Sequence, residues 1–214
     1  MKMSNFLSLV NRLFSKTFWI FVSPVIIGTL MAFGDGIHNW PIALWFLAGF
    51  LAAYFVFDYI LKLGKSVVSL KNSAILETMM FVLLGPFAVC GSYYAQSHEM
   101  NTAVILASLP PGLFTISCLT ALSFKRGEGS GKNYFVIGKY FFTLYTAAIL
   151  PVFIYAYTND NLFTIFTTCI CLYSIPVILK IRGIEENSSH DLIFKSTIKM
   201  YLIYTAIFSL GWIL

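Results

Sequence analysis

Charge is scarce in this sequence. Only 11% of its residues are Asp, Glu, Lys or Arg, less than half of the roughly 25% carried by a soluble domain. A water-facing globule needs a charged coat, so the expected solvent is lipid. Familiar catalytic signatures are missing too. There is no G-x-x-x-x-G-K-[ST] loop, no H-E-x-x-H and no G-x-S-x-G elbow. The three histidines, His38, His98 and His190, lie in loops, the first two on the opposite side of the expected membrane from the third, so one metal cannot take all three. Cys90, Cys118, Cys169 and Cys171 form no C-x-x-C pair. Cys169 and Cys171 point to different faces of a helix, and all four read as small apolar packing residues. No removable signal peptide is expected, because no small-residue cleavage pattern follows the first apolar run.

What is present is apolar. Hydrophobic residues make up 58% of the 214, including 21 Phe and 12 Tyr, a composition suited to lipid-facing surface and interfacial rings. Crossing the hydrocarbon takes about 20 apolar residues, and the backbone must then be helical to satisfy its own polar groups. Seven spans are expected, at about 17–34, 41–63, 74–95, 101–123, 134–157, 161–180 and 197–214. The predicted fold class is all-α: one integral membrane domain over 1–214, a polytopic transmembrane helix bundle.

The basic residues test that count. All 14 Lys and Arg fall before span one, between spans two and three, around the connection from four to five, or around the last loop. The opposite loops hold Asp35, His38, His98, Glu99 and Asp160, with no Lys or Arg. This sorting predicts a cytoplasmic N-terminus and an outside C-terminus. It also explains the net charge of +5 without nucleic acid as a partner.

The stretch AYFVFDYILKLGKS, residues 53–66, sets Asp58 inside an apolar run. An intramembrane acid marks a functional site or carries a partner. Two readings stand: Asp58 contacts a ligand, or it pairs with Lys62 one turn later. Glu77, opening span three, is either an acid favoured by the helix dipole or one aimed into the bundle. Lys139, one and a half turns into span five, either snorkels to the interface, partners Asp58 or Glu77, or contacts a diphosphate. Pro86, the Pro110–Pro111–Gly112 run, Pro151 and Pro176 are expected to interrupt their spans. Phe135, Tyr140, Phe141, Phe142 and Tyr145 either line a lipid cavity or face lipid.

Three segments carry a family resemblance. They are KTFWIFVSPVIIGTLMAFGDG (16–36), ILETMMFVLLGPFAVCGSYYAQ (75–96) and LASLPPGLFTISCLTALSFKRGEGSGKNYFVIGKY (106–140). In this order they resemble the UbiA superfamily of intramembrane prenyltransferases, most closely the branch that prenylates 1,4-dihydroxy-2-naphthoate. The middle segment, an acid followed by LGPFAVCGSYYAQ, is the most specific, and the tail DLIFKSTIKMYLIYTAIFSLGWIL is similar to that branch's last helix. The family is usually a nine-span bundle. Only KSVVSLKNS stands here in place of two helices, which agrees with seven spans and keeps every orientation.

The resemblance implies Mg²⁺-dependent loss of diphosphate from a prenyl chain, with the ion held by two Asp-rich motifs. Mg²⁺ takes oxygen ligands, one or two carboxylates beside phosphate and water, and stabilises the leaving charge. Set against N-x-x-N-D-Y-x-D, this chain keeps Asp58–Tyr59 but has Tyr54 and Phe57 for the two Asn and Leu61 for the second Asp. Set against the second motif, Thr120–Ala121 or Leu119–Thr120 replaces the Asn pair. Phe124 or Ser123 replaces one Asp, Glu128 or Gly127 the other, and Gly131–Lys132 persists. Candidate ligand-binding residues are therefore Asp58, Lys62, Glu77, Glu128, Lys132 and Lys139, with Asp58 the one candidate metal ligand and Mg²⁺ the cofactor of an active form. The resemblance implies a bacterial inner-membrane protein with degenerate chemistry that keeps an isoprenoid or quinone-type ligand. An active prenyltransferase or cyclase, and a structural subunit with a membrane-protein partner, stay open as alternatives.

Overall fold

The computed structural model describes residues 16–63, 73–125, 134–158, 162–175 and 189–214. Among them the chain forms seven helical rods and no strand. The first two are α1 (Lys16–Gly34) and α2 (Trp40–Leu63). The third joins α3 (Ser73–Val82) to α4 (Ala88–Ser97) through a π-helical turn, Leu83–Phe87. The fourth joins α5 (Thr102–Ala107) to α6 (Leu109–Lys125). Then come α7 (Tyr134–Thr158), a 3-10 turn (Leu162–Thr168) running into α8 (Cys169–Tyr173), and α9 (Ser189–Ile213).

Three stretches are long and apolar enough to cross a membrane: Glu77–Ser97, Thr102–Ala121 and Phe135–Tyr157. Phe18–Gly34 and Trp40–Phe55 are shorter apolar helices. Among the described residues the sixth rod covers only Leu162–Tyr173, short of a crossing at helical rise. The last helix, from Ser189, is longer than the expected span 197–214. Its first turns look polar in sequence, yet Ile193, Phe194, Thr197 and Ile198 are buried, the one-sided pattern of an amphipathic helix.

The prolines act less uniformly than expected. Pro86 has no N–H to give, and the rod absorbs the loss as the Leu83–Phe87 π turn. Pro110 and Pro111 sit in the first turn of α6, where donors are unpaired anyway. The helix breaks just before them, at Ser108, whose hydroxyl donates to the Ile105 carbonyl at 2.6 Å. Pro151 does not interrupt its span. It is buried, and α7 runs through it. Pro176 lies outside the described residues.

Small residues set the closest approaches, as expected where lipid supplies no hydrophobic drive between helices. A Cβ on Gly28 of α1 would stand 2.1 Å from Ser92 Oγ and 2.2 Å from the Val89 carbonyl oxygen of α4. One on Gly85 would stand 2.8 Å from the Ser108 carbonyl oxygen and 3.0 Å from Gly112 Cα. The π turn is thus pressed directly on the α5–α6 break.

α9 packs on α1, α6 and the 3-10 turn. Its buried face carries a line of rings. Tyr201 lies nearly parallel to Phe114 of α6, with centroids 5.2 Å apart, and Tyr204 stacks on Phe208 at 5.6 Å. Phe208 leads on to Trp212.

Candidate functional site

Two polar constellations occupy opposite ends of the rod that runs from α3 to α4. At its start, Glu77 forms an ion pair with Lys139 of α7, 62 residues away in sequence. Glu77 is 19% exposed and Lys139 30%, so the pair is partly withdrawn from solvent. The Lys139 ammonium turns to a carboxylate on the neighbouring helix. Of the open alternatives, partnership with Glu77 is the one the structure contains.

The next turns of α7 lead inward by hydroxyls. Thr143 donates to the Lys139 carbonyl at 3.0 Å, and its oxygen lies 2.7 Å from Ser117 Oγ of α6. The Tyr140 hydroxyl lies 2.8 Å from Thr197 Oγ1 of α9. These bonds join α6, α7 and α9 just beneath the ion pair. Of the five aromatic candidates on α7, Tyr140 is buried, Phe135 and Phe142 are exposed, and Phe141 and Tyr145 stack on each other at the margin. The aromatic run thus divides between core and outer surface.

Among the described side chains, the positions set against that family's Asn residues, Tyr54 with Thr120–Ala121 or Leu119–Thr120, are taken up by packing. Tyr54 is buried, with its ring 4.9 Å from Phe21 and 6.1 Å from Phe18 of α1. Ala121 is fully buried, and the Thr120 hydroxyl donates to the Ile116 carbonyl of its own helix at 2.9 Å. Asp58 and Lys62 belong to α2, but their side chains, with those of Phe57 and Leu61, are outside the described set. Glu128 and Lys132 lie outside the described residues.

Among the described side chains, which do not include those of Asp58 and Glu128, these groups assemble no Mg²⁺ site. An ion of that kind needs several free oxygens in near-octahedral array. The Glu77 carboxylate already carries an ammonium. Among the described residues no three His, Cys, Asp or Glu side chains converge as a metal-binding group.

The other end holds a site that sequence reading treated only as a loop acid. Asp35 accepts a hydrogen bond from the Tyr93 hydroxyl of α4 at 2.6 Å and one from Trp212 Nε1 of α9 at 3.3 Å. The local chain explains its position. α1 ends in a Schellman turn, with Ile37 N–H donating to the Ala32 carbonyl and Gly36 N–H to that of Phe33. Gly36 takes φ 83°, a backbone state that glycine adopts without strain. That turn fixes Asp35 at the helix end, facing two donors. The Asp-Gly pair after an apolar helix signals such a turn, but nothing in the sequence names a tryptophan 177 residues away.

An apolar cleft of about 190 Å³ opens between α1 and α2, lined by residues including Val25, Leu30, Phe33, Trp40 and Leu44. It suits hydrocarbon and offers little to orient a polar head. Compared with protein families, with characterised proteins and with solved structures, the chain gives no match. The site is therefore read from its own chemistry and from the sequence resemblance.

Proposed function

We propose that this chain is a seven-span membrane protein, UbiA-like but shortened by two helices, that holds an isoprenoid or quinone-type lipid without Mg²⁺-dependent prenyl transfer. The N-terminus lies on the cytoplasmic side of a bacterial inner membrane and the C-terminus outside. The single observation that carries the reading is the Glu77–Lys139 ion pair. Prenyl transfer of the family's kind needs carboxylates free to hold metal against diphosphate. Here a lysine supplies the positive charge from within the protein, and Tyr54 and Ala121 fill with packing the positions where polar ligands are expected. The basic side of the membrane, where such chemistry would occur, retains its charge sorting, and the three family-like segments keep their order.

Native mass spectrometry of protein extracted from its own membrane tests the binding half. The expected spectrum retains an isoprenoid or quinone-type lipid at one per chain. Retention of a protein partner with no such lipid overturns the reading in favour of a structural subunit.

A further inference from the structure

The cleft between α1 and α2 is bounded by Val25 to Phe33 on one rod and by Trp40 to Leu47 on the other. At 1.5 Å per residue it follows about 12 Å of α1 and about 10 Å of α2. Its rim is the Phe33–Trp40 ring pair, with centroids 4.4 Å apart, and Trp40 is 59% exposed. Among the lining side chains only Thr29 and Trp40 can form hydrogen bonds, and the rest are hydrocarbon. Thr29 lies about 6 Å below Phe33 along the helix.

A helical hydroxyl can satisfy itself on the carbonyl one turn earlier. Ser23, Thr115, Thr197 and Thr205 all do so, at 2.7, 3.0, 2.8 and 3.0 Å. The half-buried Thr29 makes no such bond, and no other among the described residues. Hydrocarbon surroundings supply no water in its place. The Trp40 N–H also donates to no described residue. Two donors, one at the rim and one deeper, therefore face a slot whose other walls suit a run of methylenes. α2 packs on α1 and α4, so an occupant of this slot completes its seat against α1.

We propose that the α1–α2 cleft seats one acyl chain of a glycerophospholipid. The ester carbonyl of that chain accepts from Thr29, and the Trp40 N–H meets the oxygens above it at the interface. The chemistry selects this class. A plain isoprenoid chain has no acceptor for Thr29, and its methyl branches widen it. A fatty-acid carboxylate would meet no cation, because the neighbouring connections carry Asp35, His38 and Glu99 and no Lys or Arg. A glycerophospholipid brings an unbranched chain with a neutral carbonyl at its upper end. Recognition falls on chain and ester, and the head stays in water. The step is binding alone, with no bond made or broken. The inference requires that the chain lies in a membrane, and it is separate from the isoprenoid or quinone-type ligand proposed above.

The test uses the full chain in detergent micelles, read by native mass spectrometry. Its two probes share chains and head: dioleoyl phosphatidylethanolamine and its dioleyl ether analogue, which lacks both carbonyls. Wild type is expected to bind one ester lipid per chain about fivefold more tightly than the ether. Thr29→Val keeps the shape without the hydroxyl, and is expected to bind both lipids equally, at the ether's affinity. Thr29→Ser is expected to restore the preference. Ala43→Phe fills the slot and is expected to abolish tight binding of both; should it not fold, the Thr29→Val comparison decides. Equal affinity of wild type for ester and ether overturns the proposal. So does a preference that survives in Thr29→Val, or unchanged binding by a folded Ala43→Phe. Oleate bound as tightly as the ester lipid also overturns it, in favour of a free fatty acid. None of these outcomes touches the isoprenoid or quinone-type reading, because that lipid is distinguished by its mass.

Discussion

The two ends of the α3–α4 rod handle a carboxylate in opposite ways. Near the start, Glu77 meets a full positive charge on Lys139. About 24 Å further along, at a helical rise of 1.5 Å over 16 residues, Tyr93 gives a neutral donor to Asp35, and Trp212 gives another. The first arrangement cancels charge between two helices in a partly enclosed place. The second leaves the charge uncancelled and exposed, and uses it to tie three helix ends together. The difference lies in what each carboxylate faces. Glu77 is committed to an internal partner, whereas Asp35 acts as a fastening at the face without basic residues.

Breaking the charged pair should have the largest effect. Lys139→Met leaves Glu77 partly buried without compensation, and a loss of about 3 kcal/mol is expected from the cost of stranding such a charge. Replacing both partners, Glu77→Leu with Lys139→Met, should recover most of that loss. Thermal unfolding of the four-member cycle in detergent measures the coupling. If the double variant is as unstable as the single, the pair is not the unit proposed here.

A disturbance between the two ends comes next. Gly28→Ala places a methyl 2.2 Å from the Val89 carbonyl oxygen, so α1 and α4 must separate. Overpacking of this kind costs about 2 kcal/mol, and it should also loosen the Asp35 contacts above it. Denaturation midpoint and Trp fluorescence should shift together. An unchanged midpoint would mean that the two helices do not approach so closely.

The neutral-donor end should give the smallest response. Asp35→Ala removes the acceptor from Tyr93 and Trp212, with an expected loss of about 1.5 kcal/mol. No partner replacement should rescue it, because no opposite charge is stranded. A loss larger than that of Lys139→Met would reverse the comparison.

Much of the helix placement was legible in the sequence. The expected runs 17–34, 41–63 and 134–157 each differ by one residue, at one end only, from the helices Lys16–Gly34, Trp40–Leu63 and Tyr134–Thr158, because long apolar runs carry strong signals. The helix α9 extends N-terminal to the expected span 197–214, beginning at Ser189, close to the start of the tail DLIFKSTIKMYLIYTAIFSLGWIL. Pro151 was expected to break a helix that packing holds together. The site was legible only as a set of residue types. Glu77 and Lys139 were both singled out, but their meeting depends on how α3 lies on α7, across 62 residues. Asp35 was passed over because its partners come from two other helices.

The central proposal is that this chain carries out no Mg²⁺-dependent prenyl transfer. Diphosphate release from a radiolabelled prenyl diphosphate, with an aromatic acceptor and with or without Mg²⁺, tests it most directly. The account predicts no Mg²⁺-dependent release above the protein-free rate, in wild type and in Asp58→Asn alike. Robust release that requires Mg²⁺ and disappears in Asp58→Asn would contradict it.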